Sequence, residues 1–285
     1  LIGNVFQQSY NIIDSVIVGR VAGKSALAAV GASFPIIFLL VSLIIGSTTG
    51  FSILIAQSFG AKDMAKVRRI VGTTYVFIFI ASLGISVAGI IFARDMLELL
   101  NTPPEIFSQA LLFLRITFSG FIFLFGYIST SALLRGLGDS KTPLYFLIFS
   151  AILNAALAVL FVKQFGWGVA GSAWATILAQ GTALLAICFY LNRTHEVLRL
   201  HILDPVFDRD ILIRSLKIGL PSGVQQVMVS AGMMALTRVV NGFGTDAVAA
   251  YTAAGRVDMF AVMPAMSLSV AISTFVGQNI GAGRM

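Results

Sequence analysis

Gln7, Asn11 and Asp14 lie in the stretch QQSYNIIDSVIVGR, residues 7–20, at the i, i+4, i+7 spacing that shares one face of an α-helix. Ile12, Ile13, Val16, Ile17 and Val18 cover much of the rest of that surface. A carboxylate in so apolar a run costs roughly 2.5–3.5 kcal/mol to insert into a bilayer. Held away from bulk water, such a group can take up and release H+ or Na+, and while empty it attracts a cation. Gln7 and Asn11 carry the polar stripe deeper, the pattern of a wall on a water-filled cavity whose amides can bind substrate. The competing reading is interfacial, since Asp14 is six residues, or about 9 Å, from Arg20. A second embedded carboxylate, Asp258, stands about twelve residues, or 18 Å, into another apolar run. It reads as a substrate or cation site, or as half of a helix-to-helix ion pair; Arg256, two positions away, does not share its face.

The elements that must hold these side chains are membrane spans. Of the 285 residues, 58% are hydrophobic and 11% charged, against roughly 25% charged in a soluble protein; the mean hydropathy is +0.94. Apolar runs of about 20 residues number eight: a first helix ending near Val21, then 25–61 with Pro35 inside it, 70–93, 105–134, 143–162, 168–192, 218–240 and 246–277. A polar connector, 193–217, divides six from two. The expected architecture is therefore an all-α polytopic membrane protein. Its N-terminal lobe covers 1–192 with a truncated first helix, and the start of a C-terminal lobe covers 218–285. The chain opens inside a span and stops after a loop motif, so it reads as a fragment, and no cleavable signal peptide is visible.

The net charge of +7 does not point to nucleic acid, because the basic residues sit in short loops. Twelve fall on one side: Lys62, Lys66, Arg68, Arg69, Arg135, Lys141, Arg193, Arg199, Arg209, Arg214, Lys217 and Arg284. Arg20, Lys24, Arg94, Lys163 and Arg238 fall on the other, so the richer side is expected to be cytoplasmic, with the N-terminus and the connector. No G-x-x-x-x-G-K-[ST] phosphate loop and no metal-ligand cluster is present, and an enzyme is not expected; His195 and His201 belong to the connector. The lone Cys188 reads as packing.

An internal repeat orders the spans. GKSALAAVGA (23–32) and GTDAVAAYTA (244–253) agree at five of ten positions, and QSFGA (57–61) shares Gln, Gly and Ala with QNIGA (278–282). Both pairs are displaced by the same 221 positions (23 to 244, 57 to 278). The double glutamines Gln7–Gln8 and Gln225–Gln226 recur with a three-residue gap. Six spans separate the copies, so both cross in the same direction, and the repeat is parallel about an axis along the membrane normal.

Depth brings two more polar residues level with Asp14. Asn154 lies nine residues before Lys163 and Thr176 eight after Gly168, so all three sit roughly 9–14 Å below one surface. Taken alone, an Asn or a Thr there reads as a helix–helix hydrogen bond.

Five strings in order carry a resemblance: YNIIDSVIVGRVAGKSALAAVG, FLRI (113–116), LLRGLGDSKTPL (133–144), GWGVAGSAWATILAQ (166–180) and FVGQNIGAGR (275–284). On them the chain resembles the multidrug and toxic compound extrusion (MATE) family of secondary transporters. The resemblance implies twelve helices in two six-helix lobes, about four of them absent here. It implies a first-lobe cation site of Asp14, Asn154 and Thr176. Where the family places a second aspartate, four residues after Asn154, stands Ala158, so coupling would rest on Asp14 alone or on the second lobe. No carboxylate occupies the seventh span where some subgroups have one.

The implied function is efflux antiport of organic cationic or amphipathic compounds in exchange for H+ or Na+. No cofactor beyond the coupling ion is expected, and the protein would be a monomer in the inner (plasma) membrane. Two alternatives remain: a lipid-linked saccharide flippase of the same superfamily, and a non-transporting membrane interaction protein. Arg115 reads as an anchor of the fourth span or a partner of an acidic loop residue. Met228, Met233, Met234, Met259, Met263 and Met266 read as packing, with a pliable substrate pocket as the sharper alternative. GDSKTP (138–143) reads as a turn and helix start.

Overall fold

In the computed structural model of the chain the described residues are 6, 17–100, 102–194, 206–241 and 245–284. Of residues 24, 233–234, 237–238, 241, 245–257 and 259–261 only the backbone is described. The first span is described from residue 17 and ends in a π-helical turn, α1 (Val18–Ala22). Gly23, with φ 91°, turns the chain into α2 (Lys24–Gly60), which carries Pro35 internally. α3 (Met64–Leu99) begins earlier than apolarity alone suggests, because Asp63 caps it by accepting the Lys66 backbone N–H at 2.9 Å. Its first turns are basic, which apolar-run counting leaves out.

The span expected over 105–134 is two helices, α4 (Pro104–Ser119) and α5 (Phe121–Gly136), bent by 52° at Gly120. The cause lies in another helix: a Cβ on Gly120 would run into the Ile177 side chain. Phe118 and Phe121, both fully buried, flank the break edge to face with ring centroids 5.0 Å apart. α6 (Lys141–Ala158) starts as GDSKTP suggests. Gly138 takes φ 90°, and Asp139 Oδ1 accepts the backbone N–H groups of Lys141 and Thr142 at 3.0 Å each. The helix runs on as a π-helical segment over Val159–Gln164. α7 (Gly168–Thr194), α8 (Arg209–Asn241) and α9 (Thr245–Gly281) complete the order.

α8 starts inside the expected connector because Asp208 caps it, its Oδ1 accepting from the Asp210 and Ile211 backbones at 3.0 and 3.1 Å. Among the described residues, four helices (25–60, 64–99, 141–164 and 168–194) are long and apolar enough to span a bilayer, five with the bent pair. Among the described residues every element is a helix, and the chain is multi-pass.

Core packing falls into three clusters. One holds Phe51, Ile55, Ile70, Leu134, Leu191 and Ile211 at the basic end, with the half-buried Cys188 packed on it. A second is built around Ile44, Ile78, Leu114, Phe118 and Phe125. The third, at the far end, gathers Val18, Ala26, Phe113, Val169 and Ala173. α2 is the link between lobes, packing on α4 and α5 within its own and on α8 and α9 of the other. Those contacts are glycine-to-backbone: a Cβ on Gly46 would meet Gly223, and one on Gly50 would meet Ser215.

Candidate cation site

α6 and α7 are joined by the short segment 165–167 and pack against each other along their length. On α6, Ser150, Asn154 and Ala158 recur every four residues and are all buried; on α7, Ser172 is buried and Thr176 half-buried one turn on. The two polar rows meet at Asn154, which is 1% exposed and donates Nδ2–H to Thr176 Oγ1 at 3.2 Å. An amide that donates to a hydroxyl keeps its carbonyl oxygen as an acceptor. Two neutral oxygen-bearing groups in a buried helix seam suit a small hard cation or a protonated partner, given one carboxylate.

Val18 is fully buried and shares a cluster with Val169 and Ala173 of α7, so the end of the first span packs beside the row that bears Thr176. Asp14, Gln7 and Asn11 lie outside the described residues. Ala158 is fully buried at the junction with the π-helical segment, so the absent acid is replaced by a packed methyl.

Asp258 is not part of this group. It is exposed on α9, whose packing partners are α2 and α8, so it belongs to the other lobe. Arg115 is exposed on α4. Among the described methionine side chains Met228 and Met266 are exposed and Met263 is buried.

The profile of the MatE family matches residues 1–160 and 221–285, most of the chain and both lobes. The chain belongs to the MATE family. It is 37% identical over 289 residues to the Bacillus subtilis (strain 168) protein named "Probable multidrug resistance protein YoeA", covering 99% of this chain and 62% of that protein. The solved structure described as MATE in the bent conformation superposes with a TM-score of 0.91 at 26% identity, over 99% of this chain and 63% of that one. A second, described as the outward-facing conformation of a multidrug resistance MATE family transporter, superposes at 0.90 and 26%, over 99% and 62%. This MATE chain thus spans under two thirds of the length of the relatives it matches.

Four residues that tie distant segments of this MATE chain together, Arg69, Thr73, Asp208 and Gln278, escaped sequence reasoning as functional positions. Asp208 pairs with Arg69 at 3.4 Å while its backbone N–H donates to Thr73 Oγ1 at 3.0 Å. Gln278 donates Nε2–H to the Gly136 carbonyl at 3.1 Å. The repeat marks Gln278 as special, but nothing local indicates its partner, 142 positions away.

Proposed function

We propose that the intact protein is a secondary active antiporter that exports organic cationic or amphipathic compounds in exchange for H+ or Na+, with a first-lobe cation site of Asp14, Asn154 and Thr176. The observation that carries this reading is the Asn154–Thr176 hydrogen bond inside the α6–α7 seam. Two residues picked out by depth and family pattern touch there, beside the buried end of the first span. Asp14 precedes the fully buried Val18 by four positions in the sequence. Similarity to two Bacillus subtilis proteins named as probable multidrug resistance proteins favours drug export over lipid-linked saccharide flipping.

Antiport then needs one negative site and two claimants. With H+ or Na+ bound, Asp14 is neutralised and a cationic substrate leaves; when the ion departs, the carboxylate attracts the next substrate. Gln7 and Asn11 would bind substrate along the same stripe, and Asp258 would offer a cation or substrate contact in the second lobe. With Ala158 in place of a second acid, the first lobe has one carboxylate to titrate and no proton-sharing pair. The twelve-residue basic side, including the connector, would face the cytoplasm across the inner membrane, and the lobes would alternate access by rocking.

The test is cation-driven dye export from an efflux-deficient host. Asp14→Asn is expected to reduce export at least tenfold under both H+ and Na+ gradients. Export by the variant equal to wild type under both would refute the role given to Asp14.

A further inference from the structure

The repeated Gln-x-x-Gly-Ala strings meet each other. α2 and α9 have the same length, 37 residues, and their ends are displaced by one offset, 24 to 245 and 60 to 281. Gln57 therefore corresponds to Gln278, Gly60 to Gly281, and Ala56 to Gly277. A Cβ on Gly60 would run into the carbonyl oxygen of Gln278, and a Cβ on Gly281 into the carbonyl oxygen of Gln57. The same pair of positions makes the same contact in both directions, the signature of an isologous interface about a two-fold axis. The axis passes where equivalent residues face each other: a Cβ on Gly277 would lie 3.0 Å from the Ala56 Cβ.

The crossing lies at the basic end of the helices, next to Lys62 and Arg284, and is braced there. Gln278 bonds the Gly136 carbonyl in the first lobe, and Arg69 of α3 pairs with Asp208 at the foot of α8. A carbonyl seated where a side chain would be leaves no gap between the helices, and glycine alone admits it. At Gly60 and Gly281 the seam is closed by backbone, while the Gln278 side chain crosses beside it to the Gly136 carbonyl, so parting the helices breaks that hydrogen bond. The glycine contacts of α2 with Gly219 and Gly223 lie 10 or more residues nearer the middle of α2, about 15 Å away.

From these contacts we propose that the twin Gln-x-x-Gly-Ala motifs form the gate at the basic end of the molecule, shut in this conformation, and that parting Gly60 from Gln278 and Gly281 from Gln57 is what opens that end. The inference rests on the antiporter reading, since a gate needs alternating access. Because the two halves of the seal are repeat-equivalent, neither lobe holds it alone.

The experiment uses the intact protein carrying Cys188→Ser, with Ala56→Cys and Gly277→Cys introduced together. Their Cβ positions approach somewhat more closely than the usual disulfide separation of about 3.5–4.5 Å, so bonding asks the helices to part by well under 1 Å. Ethidium export is measured in the reduced state, after oxidation, and after re-reduction, with the disulfide verified on linked peptides. Export is expected to fall at least tenfold on oxidation and to return with dithiothreitol, while each single-cysteine variant ignores oxidation. A verified disulfide with unchanged export overturns the gate, and so does failure of the pair to bond. If the Cys188→Ser parent exports nothing, the antiporter reading fails first, and that outcome is distinct from the other two.

A second arm does not depend on the disulfide. Gly60→Ala and Gly281→Ala are each expected to raise maleimide labelling of Ala56→Cys from the basic side, by similar factors. Gly84→Ala, whose added methyl meets nothing within 4 Å, is expected to leave it unchanged. Labelling raised by one glycine variant and not the other overturns the reciprocal seal.

Discussion

Asn154 and Thr176 pose a question of magnitude. Interhelical hydrogen bonds in membranes average about 0.6 kcal/mol, with a maximum near 1.7, because the separated helices find other partners. If the 3.2 Å contact between them were glue alone, losing it would cost little stability and nothing else. A cation-site role predicts a different ratio. Asn154→Ala and Thr176→Val should each cost at least tenfold in cation-driven export. Their coupling in a double-mutant cycle on detergent melting should stay near 0.6 kcal/mol. Export unaffected by both variants would return the pair to packing. The depth match of Asn154 with Thr176 was legible because distance from a loop is a one-dimensional quantity. Their contact was not, since equal depth leaves the azimuth of each helix open.

At the scale of elements, the α4–α5 break shows a helix shaped by its neighbour. Gly120 has φ −94° and ψ 0°, so nothing in its own backbone demands glycine; the demand comes from Ile177, which occupies the space a Cβ would need. Gly120→Val should therefore overpack the seam and cost about 1–3 kcal/mol, read as a lower detergent melting temperature. Adding Ile177→Ala should recover most of that loss by vacating the space, whereas in the wild-type background Ile177→Ala alone should destabilise. An additive double variant would mean that the bend has another origin. FLRI and the apolar run after it suggested one span over 105–134, since an apolar count does not see a bend imposed from α7.

For the whole molecule, the loops assigned to the basic side do converge. Arg69 meets Asp208, the Gly72 backbone abuts Val206, and Gln278 reaches Gly136. At the opposite end Phe161, Phe165 and Trp167 stack with centroids 5.1–5.9 Å apart, with Phe165 and Trp167 exposed, as an aromatic anchor at a bilayer interface would be. The expected topology is cytoplasmic for the basic end. In a Cys188→Ser background, Gln164→Cys should label with a membrane-impermeant maleimide in whole cells, and His201→Cys only after permeabilisation. The reverse pattern would invert the orientation.

The helical membrane fold, the repeat and the resemblance to the MATE family follow from apolar runs and motif spacing, because burial in lipid imposes its pattern residue by residue along the chain. What only the tertiary structure decided is where the elements meet: the 52° break at Gly120, the Asn154–Thr176 seam, and the reciprocal crossing of Gly60 and Gly281. Each depends on the shape a distant segment presents, and two backbones in contact through glycine leave no side-chain pattern in the sequence to announce it.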